Sequence, residues 1–71
     1  MAKRRRVLPQ AAVERLMKKA GAKRISPGAV KALADILETI AEDIATRAVR
    51  YANYAKRKTI TRADIEIAAS E

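Results

Sequence analysis

The side chains in this sequence that could do chemistry are almost all cations. Lys3, Arg4, Arg5 and Arg6 form an unbroken run, and three further groups follow: Lys18 and Lys19, Lys23 and Arg24, and Lys56, Arg57 and Lys58. Lysine and arginine offer positive charge and donors only, which suits them to phosphate oxygens. The chain has no His and no Cys. That removes the commonest metal ligand, the commonest general base and all thiolate or disulfide chemistry. Asp35, Glu38, Glu42 and Asp43 imitate a carboxylate cluster in sequence, but acids spaced along a helix read as a solvated face. No Gly-rich phosphate loop and no clustered acid–base pair is present. The expectation is a binding protein: not an enzyme, with no metal, no cofactor and no small-molecule substrate.

The formal net charge of +8 on 71 residues predicts a polyanionic partner. An anionic membrane surface is the rival to nucleic acid. A membrane-lying helix carries its Lys and Arg along one polar face opposite bulky apolar residues. Here the stretch from Asp35 to Asp43 has acids and no cation, and the cations gather near the ends of elements. That pattern suits a surface meeting phosphates at intervals, so nucleic acid is expected and membrane is not. No apolar run approaches the roughly 20 residues of a membrane span. Lys3 to Arg6 is followed by Val7, Leu8 and Pro9, not by the apolar stretch of a signal peptide. A soluble intracellular protein is expected.

The elements that must position these cations are helical. Gly and Pro number two each, and Tyr51 and Tyr54 are the only aromatic residues. Residues 1–7 read as a basic, solvated arm, and residues 8–71 as one domain. A first helix is predicted from Pro9 to Ala20, with Pro at the first helical position. Val13, Leu16, Met17 and Ala20 make its apolar face, and Gly21 ends it. After a short loop, Ser26 offers a cap and Pro27 opens a long helix reaching about Ala55. Lys31 with Asp35, and Asp43 with Arg47, form pairs four residues apart. After a second basic loop Thr61 can cap a last helix, with Asp64 three residues on. Ile65, Ala68 and Ala69 supply its apolar face. The fold class is all-α: short helix, long helix, short helix.

The long helix carries Val30, Leu33, Leu37, Ile40 and Ile44 at steps of three and four, with Ala48 continuing the row. Two short helices cannot cover a stripe about 40 Å long at 1.5 Å per residue. A chain of this size buries only about 60% of its unfolded surface. Without disulfides or metal, small scaffolds gain their core by pairing. The sequence therefore predicts a homodimer crossing at the middle helices, with those five residues as its core.

Two runs carry a family resemblance. Leu16-Met17-Lys18-Lys19-Ala20-Gly21-Ala22-Lys23-Arg24-Ile25-Ser26 resembles helix 1 and loop 1 of archaeal-type histones. Ala55-Lys56-Arg57-Lys58-Thr59-Ile60, followed by Ala63-Asp64-Ile65, resembles their loop 2 and helix 3. The likeness extends from Leu8 to Ala69 without a gap. It implies the histone fold, in which two chains clasp in a handshake and loop 1 of one lies beside loop 2 of the other. Its implied partner is double-stranded DNA, held largely without sequence specificity, bent, wrapped and compacted. The implied place is the chromosome (nucleoid) in the cytoplasm.

The resemblance also implies roles for particular residues. Arg15 is similar to a helix 1 arginine that enters the minor groove near the dimer centre, and Arg24 to a loop 1 arginine that enters it at the edge. Thr59 resembles the partner chain's threonine that orients that arginine. Lys18, Lys19 and Lys58 resemble phosphate contacts; Lys23 and Arg57 join them in the two basic loops, and Lys3, Arg4, Arg5 and Arg6 are expected to act as a non-specific phosphate arm. Arg suits a narrow groove because it is weakly hydrated and planar. Helix N-termini at Pro9 and Ser26 can direct N–H groups at phosphates. Arg57 and Asp64 resemble an ion pair joining loop 2 to helix 3. Tyr51, Tyr54 and Asp64 fall where histone dimers join into tetramers or a continuous superhelix, with Tyr residues where Leu and His are typical. A histone-fold subunit of a transcription factor, acting mainly through protein pairing, is the alternative; the basic loops and Arg15 weigh against it.

Overall fold

The computed structural model describes residues 8–71. Lys3, Arg4, Arg5 and Arg6, and the rest of the expected arm, lie outside the described residues. The described residues form three helices and no strand: α1, Gln10–Lys19; α2, Pro27–Tyr54; and α3, Arg62–Ala69. The order short, long, short is that of the all-α histone fold.

Each helix starts and stops for a local reason. Pro9 precedes α1 and is not its first residue, because its ψ of 132° is extended. Its carbonyl accepts from Ala12 and Val13 N–H, at 3.2 and 3.3 Å. At the far end, Ala22 N–H reaches the Met17 carbonyl and Gly21 N–H the Lys18 carbonyl, at 3.1 and 3.0 Å. This is a Schellman closure, and Gly21 takes its left-handed position with φ of 110°. Ser26 Oγ accepts from Ala29 N–H at 3.1 Å and caps α2. At the end of α2 the same closure recurs. Arg57 N–H meets the Ala52 carbonyl and Lys56 N–H the Asn53 carbonyl, both at 2.9 Å. Thr61 and Asp64 form a reciprocal capping box at the start of α3. We call residues 20–26 loop 1 and residues 55–61 loop 2.

The chain divides into two compact units, one ending at Thr39 and one running from Ile40 to Glu71. In the first, Val13, Val30 and Ala34 are buried together, and Leu8, Met17, Ile25, Leu33 and Leu37 pack around them. Glu38 is buried as well, and its carboxylate accepts the Leu8 backbone N–H at 3.0 Å. This bond fixes the start of the described chain against α2. In the second unit the buried apolar residues are Ala48, Ala52 and Ala68, all of them small. Arg47 bridges Asp43 at 2.9 Å and Glu71 at 3.3 Å.

The five residues expected to form the dimer core do not lie alike. Val30 is covered by its own chain, in contact with the Val13 and Ala34 cluster, because α1 packs on the first turns of α2. Leu33, Leu37 and Ile44 are half-buried. Ile40 is 51% exposed, and Ile36, four positions earlier, is 55% exposed. Leu16, Val49, Ile60, Ile65 and Ile67 are further large apolar residues left in solvent. Among the described residues, the fully buried apolar side chains are valines and alanines, while these larger ones stay substantially exposed.

Candidate nucleic-acid interface

In the first unit the cations sit where α1 ends and loop 1 begins. Arg15, Lys18, Lys19, Lys23 and Arg24 are all exposed. Lys18 and Lys19 occupy the last turn of α1. There they complement the negative end of the helix dipole, a structural role they can fill while meeting a phosphate. Arg15 and Lys18 share the lining of a shallow open depression with Ala11 and Glu14. The Schellman closure at Gly21 ends α1 shortly before Lys23 and Arg24 in the chain.

Loop 2 of the second unit is built around a carboxylate. Arg57 Nη1 donates to Asp64 Oδ2 at 2.9 Å, and Nη2 donates to Asp64 Oδ1 at 3.0 Å. The pair is bidentate, the geometry that suits a planar guanidinium best. Nη1 also donates to the Thr59 carbonyl at 3.0 Å. Thr61 N–H donates to Asp64 Oδ2 at 2.8 Å, and Asp64 N–H returns to Thr61 Oγ1 at 3.4 Å. One buried aspartate thereby ties both ends of the loop to the first turn of α3. Lys58 and Thr59 ride on this frame with exposed side chains. Arg57, expected from the sequence to serve both DNA and the ion pair, directs these three bonds inward.

The Arg57 guanidinium, and after it the Thr61 N–H, hold the Asp64 carboxyl well below the usual carboxylate range, against the opposing effect of burial. The same pairing raises Arg57 further. A carboxyl depressed in the folded state adds stability that is fully present above its unfolded pKa, near 4. That stability is lost as pH falls through the folded value. We expect Asp64→Asn to lower the thermal midpoint at about pH 7 and to narrow its gap from the parent below about pH 3. Thermal circular dichroism at the two pH values checks this. A gap that stays constant would show that the charge of Asp64 contributes nothing.

Asp64 has little left for another molecule. It is 3% exposed, and three of its roughly four acceptor sites are filled. Tyr51 is half-buried and Tyr54 is 72% exposed, with their rings edge to face at a centroid distance of 6.2 Å. Among the described residues no group of acids forms a metal site, and no helix is long and apolar enough to cross a membrane.

Comparison with known proteins assigns the chain to a family. Residues 6–69 match the family model described as histone-like transcription factor (CBF/NF-Y) and archaeal histone. A subunit of the archaeal histone HAN1 from Thermococcus zilligii is 44% identical over 61 residues, spanning 86% of this chain and 91% of that protein. A probable archaeal histone 3 of Methanocaldococcus jannaschii is 48% identical over the same coverage. The chain belongs to the archaeal histone family. Its role is architectural DNA binding and not enzymatic catalysis, and both relatives favour the histone branch over the transcription-factor branch.

Three features are hidden from the sequence. Ile36 shares the exposure of Ile40, but it falls outside the row stepped from Val30. Glu38 groups with the solvated acids by its spacing, yet it is buried and holds Leu8. Lys56 takes the same left-handed position as Gly21. Its one sequence signal is the spacing to the helix end, which a non-glycine residue conceals.

Proposed function

We propose that two copies of this chain pair through α2 in a handshake and bend double-stranded DNA around the pair with little regard to base sequence. The observation that carries this reading is the separation of surfaces. Exposed cations lie at the end of α1, in loop 1 and in loop 2, while Ile36 and Ile40 stand bare on α2. Cations on loops meet phosphates, and bare isoleucines need a protein partner. In this reading Lys18, Lys19, Lys23 and Lys58 neutralise phosphates, and Arg15 and Arg24 enter the minor groove. Thr59 orients Arg24 of the partner chain, and Arg57 holds the loop in place. Histone octamers work by the same means, with minor-groove arginines and no base-specific contact. Lys3, Arg4, Arg5 and Arg6 add non-specific contacts. The protein acts on the chromosome in the cytoplasm.

Assembly beyond the dimer uses Tyr51 and Tyr54, the latter 72% exposed. A tyrosine ring buries readily while its hydroxyl finds a partner. Neighbouring dimers on one duplex see a high effective concentration, which strengthens a weak contact. Nuclease digestion of protein-bound DNA should leave fragments at regular length increments. The double variant Tyr51→Ala, Tyr54→Lys should stay folded, bind DNA and shorten those fragments to that of one dimer. An unchanged ladder would place assembly on another surface, and the absence of protected fragments in the parent would remove the wrapping itself.

A further inference from the structure

Glu38 is buried in the first unit, 5% exposed, and its Oε2 accepts the Leu8 backbone N–H at 3.0 Å. A backbone N–H gives a buried carboxylate a hydrogen bond but no charge, and acids are seldom buried without a cation beside them. The segment that delivers this N–H carries the longest run of cations in the sequence: Lys3, Arg4, Arg5 and Arg6 closely precede Leu8. At no more than about 3.6 Å per residue, Arg5 and Arg6 stay within about 11 Å of the anchored Leu8 along the chain. Asp35 is exposed and lies three residues before Glu38. That spacing puts both acids on one side of α2, with their Cβ atoms about 5–6 Å apart. Ile36 lies two residues before Glu38, about 200° around the helix at about 100° per residue. A partner seated on Ile36 therefore leaves the side of Asp35 and Glu38 open.

We propose that Asp35 and Glu38 form a docking site for the basic arm of the same chain, with Arg5 and Arg6 as its occupants, and that DNA phosphates compete with these carboxylates for the arm. Charge complementarity and the root at Leu8 select this occupant, because tethering raises its effective concentration at the site. The docked arm acts as an internal counter-ion. It screens two acids from DNA and withholds its own cations from phosphates until a duplex is close, so the two acids set the threshold for non-specific binding. The docking stands apart from the DNA reading; the competition rests on it. Lys31, four residues before Asp35, is the rival cation within α2 and is kept in every variant below.

The test uses the full chain and two readouts. Glu38→Gln keeps an acceptor for Leu8 and removes the charge; Asp35→Asn changes an exposed residue and keeps the test alive if the first variant fails to fold. In limited trypsin digestion without DNA, each variant should be cut after Arg5 and Arg6 about two- to five-fold faster than the parent, the range an exposed ion pair supports. In about 1 M salt, where such pairs are screened, the rates should converge. On one mixed-sequence duplex, Asp35→Asn should raise affinity several-fold, and should leave it nearly unchanged in a chain that also carries Arg5→Gln and Arg6→Gln. Equal trypsin rates for parent and variants at low salt would overturn the docking. An equal gain in affinity with and without the two arginines would reduce Asp35 to a general repulsion of phosphate and overturn the competition. A parent that does not bind DNA would overturn the DNA reading and the competition with it, and the trypsin rates would still decide the docking.

Discussion

Ile40→Asp should leave the chain unfolded at micromolar concentration. Ile40 is 51% exposed in the single chain, and Ile36 is 55% exposed. The described residues leave about half of each side chain uncovered. The buried apolar residues of the second unit are three alanines, Ala48, Ala52 and Ala68. Alanine removes little surface from water, at about 25 cal/mol per Å² of apolar area. Such a unit cannot offset its ordering entropy, which runs to about 1–2 kcal/mol for each backbone residue. Pairing must supply the rest, and obligate homodimers often have no stable folded monomer. An aspartate at the crossing of two α2 helices would be buried opposite its own copy, with no cation in the stretch from Asp35 to Asp43 to pair it. Burying a charge without a partner is costly enough to prevent association. Far-ultraviolet circular dichroism and sedimentation on the variant check this. A folded, monomeric Ile40→Asp chain would refute pairing through α2.

The element order is legible in the sequence because its punctuation is local. Ser26, Thr61 with Asp64, and Gly21 mark helix ends by short-range hydrogen bonding, and the structure shows each at such an end. Pro9 shows the limit of that reading. Its ring suits both the residue before a helix and the first residue within it, and only its ψ decides. The burial pattern is less legible. Period alone places Val30 and Ile40 on related faces, yet α1 covers the first and leaves the second bare. Which part of a stripe a neighbouring helix covers is a tertiary matter. The site divides in the same way. Its cations are plain in the composition, but the pairing of Arg57 with Asp64 depends on a loop whose course follows from the turn at Lys56. The residue at that turn does not announce it, since lysine is not a residue that marks left-handed backbone.

The second large effect concerns salt, and it bears on the central claim that this chain holds DNA by its backbone. Exposed cations on α1 and both loops, doubled by pairing, would neutralise about 6–10 phosphates. Each neutralised phosphate releases condensed counterion, so the logarithm of affinity falls linearly with the logarithm of salt concentration. If the DNA is held by its backbone, sequence should enter only through the ease of bending, greatest at flexible pyrimidine–purine steps. The decisive measurement is the dissociation constant of the full chain on two duplexes of equal length and unrelated sequence, across salt. The account predicts a loss of about 10³–10⁵-fold in affinity between about 50 and about 200 mM salt, nearly parallel for the two sequences. An affinity that stays flat across that range, or one duplex preferred by several orders of magnitude, would contradict it.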